Sequence, residues 1–159
     1  RRPTHLPRPM TRQIQAVQRA EGGAVALSAL AAVVVLYPGW WWVILAAFLV
    51  FDLSMLGYVR STAAGATSYN LVHNYVLPAL AGLSALALDQ VSPGASTATG
   101  VLACAWAFHV GVDRALGYGL KLPDSFRSTH LGVIGKEPAH GDPDRDVAGV
   151  AQGPGTQDD

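Results

Sequence analysis

Charge is what this chain has least of. Eleven basic and eleven acidic groups among 159 residues cancel to zero and make up 14% of the sequence. Soluble domains carry about a quarter charged residues, so a solvated coil or a strongly acidic or basic chain is excluded. With no basic excess there is no electrostatic ground for nucleic acid as a partner. A single cysteine, Cys104, excludes a disulfide framework and any zinc site built on paired thiolates. The length suits one domain.

The scarce charge is unevenly placed. Residues 1–20 hold five arginines and no acid, and residues 121–159 hold four basic and seven acidic groups. The hundred residues 21–120 hold only Glu21, Asp52, Arg60, Asp89, Asp113 and Arg114. That middle divides at Pro38-Gly39, at Arg60–Gly65 and at Asp89–Ser96 into apolar runs over 20–37, 40–58, 66–88 and 98–120. At ~1.5 Å per residue each run reaches across a ~30 Å hydrocarbon core. Soluble helices would each need a polar stripe, and Val25–Leu36 and Val43–Phe51 have none. The expected fold is therefore all-α: a four-helix transmembrane bundle over 19–135 with short outer turns. A cap loop over 121–135 closes it. A basic, poorly ordered segment (1–18) precedes the bundle and a Pro/Gly/Asp-rich disordered tail (136–159) follows. Met10 reads as a start site, and nothing after the first run resembles a signal-peptide cleavage site.

With the N-terminus inside, every Arg and Lys outside the spans falls on the inner side, and the two outer turns carry none. This is the positive-inside pattern, with both termini cytoplasmic and Trp40–Trp42 at the outer interface. Ala20, Ala24, Ser28 and Ala32 form a small-xxx-small ridge expected to let the first helix pack closely.

Polar side chains within the spans are costly, and here they share a depth. Asp52 lies ~9 Å from the inner end of the second run; Tyr69, Asn70, His73 and Asn74 lie ~5–12 Å into the third; His109, Asp113 and Arg114 lie ~9–17 Å into the fourth. The third-run residues occupy one arc, and His109 and Asp113 stack at i and i+4. Arg114, turned ~100° from Asp113, is expected to pair with Asp52, and Pro78 to kink the third helix. The cap loop is expected to bring Arg127 or His130 to the cluster.

Several chemistries fit these residue types. His73, His109 and Asp113, joined by Asp52, Glu21 or His130, suit zinc or non-haem iron held between helices. Asp113 would alternatively orient His109 from outside the ligand shell. A metal-free reading makes His109, Asp113 and His73 the catalytic groups of a general acid–base site. Asp52, Tyr69, Asn70, Asn74, Arg114, Arg127 and His130 would then bind a lipid headgroup or other lipid-like ligand from the inner leaflet. A proton relay or transporter is a third reading, and a purely structural hydrogen-bond network a fourth. Ser54, Ser68 and Cys104 have no evident base beside them, and Phe48, Phe51, Trp106 and Phe108 read as core or lipid-facing.

The same residues carry a family resemblance. Asp52-Leu53-Ser54-Met55-Leu56-Gly57-Tyr58, Tyr69-Asn70-Leu71-Val72-His73-Asn74-Tyr75-Val76-Leu77-Pro78, His109-Val110-Gly111-Val112-Asp113-Arg114 through Lys121, and Phe126 with Thr129-His130-Leu131-Gly132 resemble a small bacterial membrane family of unknown function, family 4260. The resemblance spans about Arg19–Gly135. It implies four membrane helices in a bacterial inner membrane and no particular activity.

Overall fold

The computed structural model describes residues 8–134, so the tail expected over 136–159 and the first seven residues of the basic segment lie outside the described residues. The chain is an all-α bundle with four stretches long and apolar enough to cross a membrane: Arg12–Leu36, Pro38–Val59, Thr62–Leu88 and Pro93–Leu116. Only the third and fourth boundaries depart from the apolar runs in ways that matter to the site.

Helix α1 runs Arg8–Leu36, a dozen residues longer at its start than the apolar run. Hydropathy marks the stretch apolar enough for lipid, not where a helix begins. Two of the extra polar side chains are tethered: Gln15 Nε2 donates to the Leu131 carbonyl at 2.5 Å, and Arg19 Nε to the Ala115 carbonyl at 2.8 Å. The expected ridge is shifted. Gly22, Ala26, Ala29 and Val33 are the buried face of α1, while Ala20, Ala24 and Ser28 are exposed. The glycine is the reason. Gly22 and Gly111 oppose each other across the contact, and a Cβ on Gly22 would lie 2.9 Å from Gly111 O.

The second span is scarcely an α-helix. After a 3-10 turn at Pro38–Trp40 and the one-turn α2 (Val43–Ala46), the chain tightens into a nine-residue 3-10 helix, Phe51–Val59. In such a helix residues three apart eclipse. Leu53, Leu56 and Val59 accordingly form an exposed apolar edge, while Ser54 and Gly57 face α3.

The third span breaks instead of kinking at Pro78. Helix α3 (Thr62–Val72) begins on an N-cap in which Ser61 Oγ accepts from Ala64 N at 3.1 Å. It stops at His73, and α4 (Val76–Leu88) starts three residues later. Asn74 makes the joint. Its Nδ2 donates to the carbonyls of Asn70 and Leu71, and its Oδ1 accepts from Val76 N at 2.8 Å and Leu77 N at 3.3 Å. One amide thus caps the end of one helix and the start of the next. Pro78 falls in the first turn of α4, where a missing N–H does little harm.

Helix α5 runs Pro93–Leu116, with proline in its first turn. It ends where Gly117 takes φ 98°, Gly117 N bonds Arg114 O and Tyr118 N bonds Asp113 O. This is a Schellman stop. It halts the helix four residues before the apolar run ends and fixes Asp113 and Arg114 in the last turn. α5 is the hub, packed on by α1, α2 and α4. The cap segment then folds back as a two-residue antiparallel pairing of β1 (Ser128–Thr129) with β2 (Gly132–Val133).

Candidate metal centre

The break in the third span matters because of what it does to His73. As the C-cap of α3 it leaves helical geometry (φ −94°, ψ 41°). Its ring stacks on Tyr69 at 3.7 Å between centroids and 11° between planes. Its Nδ1 lies 3.1 Å from the Tyr69 carbonyl and 3.4 Å from Ser54 Oγ. A carbonyl only accepts, so these partners place the proton on Nδ1 and leave Nε2 as a bare lone pair.

That lone pair meets three other groups. His109 Nε2 is 3.0 Å away, Asp52 Oδ1 3.4 Å and Asp113 Oδ2 3.5 Å. His109 Nε2 in turn lies 3.7 Å from Asp52 Oδ1 and 3.8 Å from Asp113 Oδ2. All four atoms fall within 4.8 Å of one another. Both imidazoles are fully buried. Phe48 and Phe51 wall in the His109 ring at 4.7 and 5.3 Å between centroids. The Tyr69 hydroxyl donates to Asp113 Oδ2 at 3.1 Å. Three spans, through the 3-10 helix, α3 and α5, therefore each deliver ligands to one point.

The geometry can be weighed against hydrogen bonding. Only the His–His pair is short enough for a hydrogen bond; the four imidazole–carboxylate separations exceed the 2.7–3.2 Å range. As carboxylates, Asp52 and Asp113 offer only acceptors, as does the His73 lone pair, and His109 Nε2 brings at most one proton. Four such atoms converging with so few protons describe a cation's surroundings better than a hydrogen-bond network. For metal–ligand bonds of about 2.0–2.1 Å, the edges of a tetrahedron are about 3.3–3.4 Å. The five separations that involve an imidazole, 3.0–3.8 Å, scatter around that, and the carboxylate–carboxylate edge is no longer than 4.8 Å. Imidazole and carboxylate are suitable donors for zinc or iron.

The other residues singled out in the sequence are placed differently. Arg114 does not pair with Asp52. It is buried and donates from Nη2 to the His73 carbonyl at 2.8 Å and from Nη1 to the Tyr118 carbonyl at 2.9 Å. It holds the broken end of α3 against the end of α5, because those orphaned carbonyls are nearer than any carboxylate. Asn70 grips the cap segment: its Nδ2 donates to Lys121 O and its Oδ1 accepts from Lys121 N. Asn74 is taken up in the helix joint. Arg127 is exposed, with Nε on the Ile134 carbonyl. Glu21 and His130 line, with Arg114, a separate cleft of about 270 Å³ between α1 and the cap. Asp113 does not orient His109 from behind, since it faces Nε2 and the buried Nδ1 has no partner among the described residues.

Two side chains at the centre escaped sequence reasoning. Ser54 reaches His73 only because the 3-10 register turns it inward. Lys121 is buried over the rings of Phe126 (4.1 Å) and Tyr69 (5.4 Å), with Nζ on the Phe126 carbonyl at 2.8 Å. Its signal was only a lysine directly after an apolar run. Burial pushes its ammonium below the usual lysine range.

His130 gives the cap a pH dependence. Its Nδ1 accepts from Leu120 N at 2.7 Å, and partial desolvation of this largely exposed ring, with Arg114 nearby, pushes its imidazole below the usual range. The folded cap thus favours the neutral ring, and the unfolded cap binds the proton more readily. By linkage this contribution is present above the unfolded pKa of about 6.5 and is lost as pH falls through the lower folded value. The expected result is a smaller protection factor at the Leu120 amide below about pH 6.5, the observed rate being taken relative to the base-catalysed intrinsic rate at each pH, with no such change in His130→Asn. A protection factor that stays flat on acidification would contradict it.

Residues 15–134 match the family model described as Domain of unknown function (DUF4260). No curated protein and no solved structure matches the chain.

Proposed function

The chain belongs to the DUF4260 family, and on that footing we propose that it is a multi-pass membrane protein that binds one divalent first-row metal ion, zinc or iron(II), through Asp52, His73, His109 and Asp113. The observation that carries this reading is the convergence of four buried or half-buried donor atoms within 4.8 Å, with too few protons to bond one another. When bound, such an ion would polarise a substrate oxygen or activate water. The chain's own residues supply the rest. Tyr69 fixes His73 by stacking and Asp113 by its hydroxyl, and the phenylalanines keep water from His109.

The metal-free acid–base reading has less support, because His109 and Asp113 stand 3.8 Å apart and share no hydrogen bond. The location we propose is the inner membrane of a bacterium with both termini cytoplasmic, supported by the five arginines of residues 1–20 and the arginine-free outer turns. The metal reading is tested by elemental analysis of the full chain purified in detergent without chelator, and again after loading with zinc or iron(II). We expect close to one equivalent per chain. Less than about a tenth of an equivalent after loading sinks the reading.

A further inference from the structure

The four donors are not held alike. His73 is fixed at Nδ1 by the Tyr69 carbonyl. Asp113 accepts from the Tyr69 hydroxyl. His109 is wedged between two phenylalanine rings and fully buried. Such supporting contacts fix a ligand's orientation and its contribution to affinity. Asp52 has none of them. Among the described residues its carboxylate meets only the two imidazoles it faces. Its side chain is 33% exposed against 14% for Asp113. Its backbone belongs to the nine-residue 3-10 helix, whereas His109 and Asp113 stand on α5. Runs of 3-10 helix longer than three or four residues are uncommon, and their hydrogen bonds are poorer.

Resting on the metal reading, we infer that Asp52 is the displaceable ligand of the centre, and that the position it leaves takes a small singly charged anion through oxygen or nitrogen, a carboxylate or hydroxide above all. The charge argument selects the class. A divalent ion with two carboxylates is neutral. When Asp52 swings away, one positive charge remains at membrane depth, where uncompensated charge is costly. A neutral incoming ligand leaves that charge in place, and a monoanion cancels it. With its side chain 33% exposed and no contact but the two imidazoles among the described residues, the Asp52 carboxylate has room to turn off the ion.

The test loads the full chain in detergent with cobalt(II), whose visible bands report coordination number, and titrates with azide and acetate. Asp52→Ala and Asp52→Asn are expected to keep cobalt with a loss of about tenfold or less, and to bind azide about tenfold more tightly than the unaltered protein. Asp113→Ala is expected to lose cobalt affinity by on the order of 100-fold. Two results overturn the inference. One is Asp52 variants that lose cobalt as fully as Asp113→Ala. The other is azide and acetate leaving the bands of every variant unchanged. Failure of the unaltered protein to bind cobalt, zinc or iron(II) is a different result: it removes the metal centre itself.

Discussion

His73→Ala and His109→Ala should each strip the ion from the protein, with affinity falling by on the order of 100-fold or more, since supporting contacts alone commonly contribute 10–100-fold. The two substitutions act alike on metal and differently on the rest of the fold. His109 lies between Phe48 and Phe51, so its loss opens space in the core around Phe51. His73 sits at the C-cap of α3, where its carbonyl, which alanine retains, is what Arg114 holds. Metal-free His73→Ala loses a fully buried, stacked ring but keeps that tie, so both metal-free variants should be weaker than the parent, His109→Ala the more so. Linkage gives the second readout. With metal at 100 times its dissociation constant, the parent should gain about 2.7 kcal/mol of stability and both variants almost none. Calorimetric titration and thermal unfolding in detergent, with and without zinc, measure both effects. Undiminished metal binding in either variant would remove that histidine from the ligand set. Tyr69→Phe is the graded case. It keeps the stacked ring and loses the hydroxyl on Asp113, so affinity should fall by about tenfold and not vanish.

These expectations rest on residues that the sequence exposed unequally. Asp52, His73, His109 and Asp113 were legible as a set because a membrane core penalises polar side chains, so those present tend to face inward and share a depth. The i, i+4 stacking of His109 and Asp113 is real because α5 is a regular helix through both. The backbone between them was harder to read. The break at His73–Tyr75 depends on Asn74 bonding to both flanking helices, and nothing in an Asn-Tyr-Val sequence announces that both halves of one amide are engaged. The 3-10 form of the second span was hidden for a similar reason. Apart from Ser54 its composition is apolar around Asp52, and apolar composition does not distinguish a 3.6-residue repeat from a threefold one. The Arg114 error has an instructive cause. Pairing by depth matched it to a carboxylate, but a broken helix creates unpaired carbonyls, and those lay closer. Where the backbone is irregular, the partners of buried cations cannot be inferred from charges alone.

Gly111→Leu should destabilise the bundle by about 1–3 kcal/mol, the usual range for forcing a side chain into a packed contact, while leaving the metal ligands in register. A Cβ at Gly111 would lie 2.7 Å from Ala26 N and 2.8 Å from Gly22 O. Both atoms are α1 backbone, so no side-chain rotation relieves the overlap and the helices must separate. The opposing glycine makes it reciprocal, because a Cβ on Gly22 would lie 2.9 Å from both Gly111 O and Ala115 N. Close backbone approach through paired small residues is how membrane helices gain packing without a hydrophobic driving force. Helix propensity works against the predicted loss: replacing a mid-helix glycine by alanine should by itself stabilise α5 by about 0.8–1.0 kcal/mol. A net loss in Gly111→Ala would therefore already isolate the contact. Gly94→Ala is the control, since a Cβ there meets nothing within 4 Å and the propensity gain should stand alone. α1 carries no metal ligand, and His109 and Asp113 flank Gly111 on the same helix. Separation of α1 should thus lower the unfolding temperature while the folded protein still takes up one equivalent of metal. If Gly111→Leu unfolds no sooner than Gly94→Ala, α1 is not held to α5 by this contact.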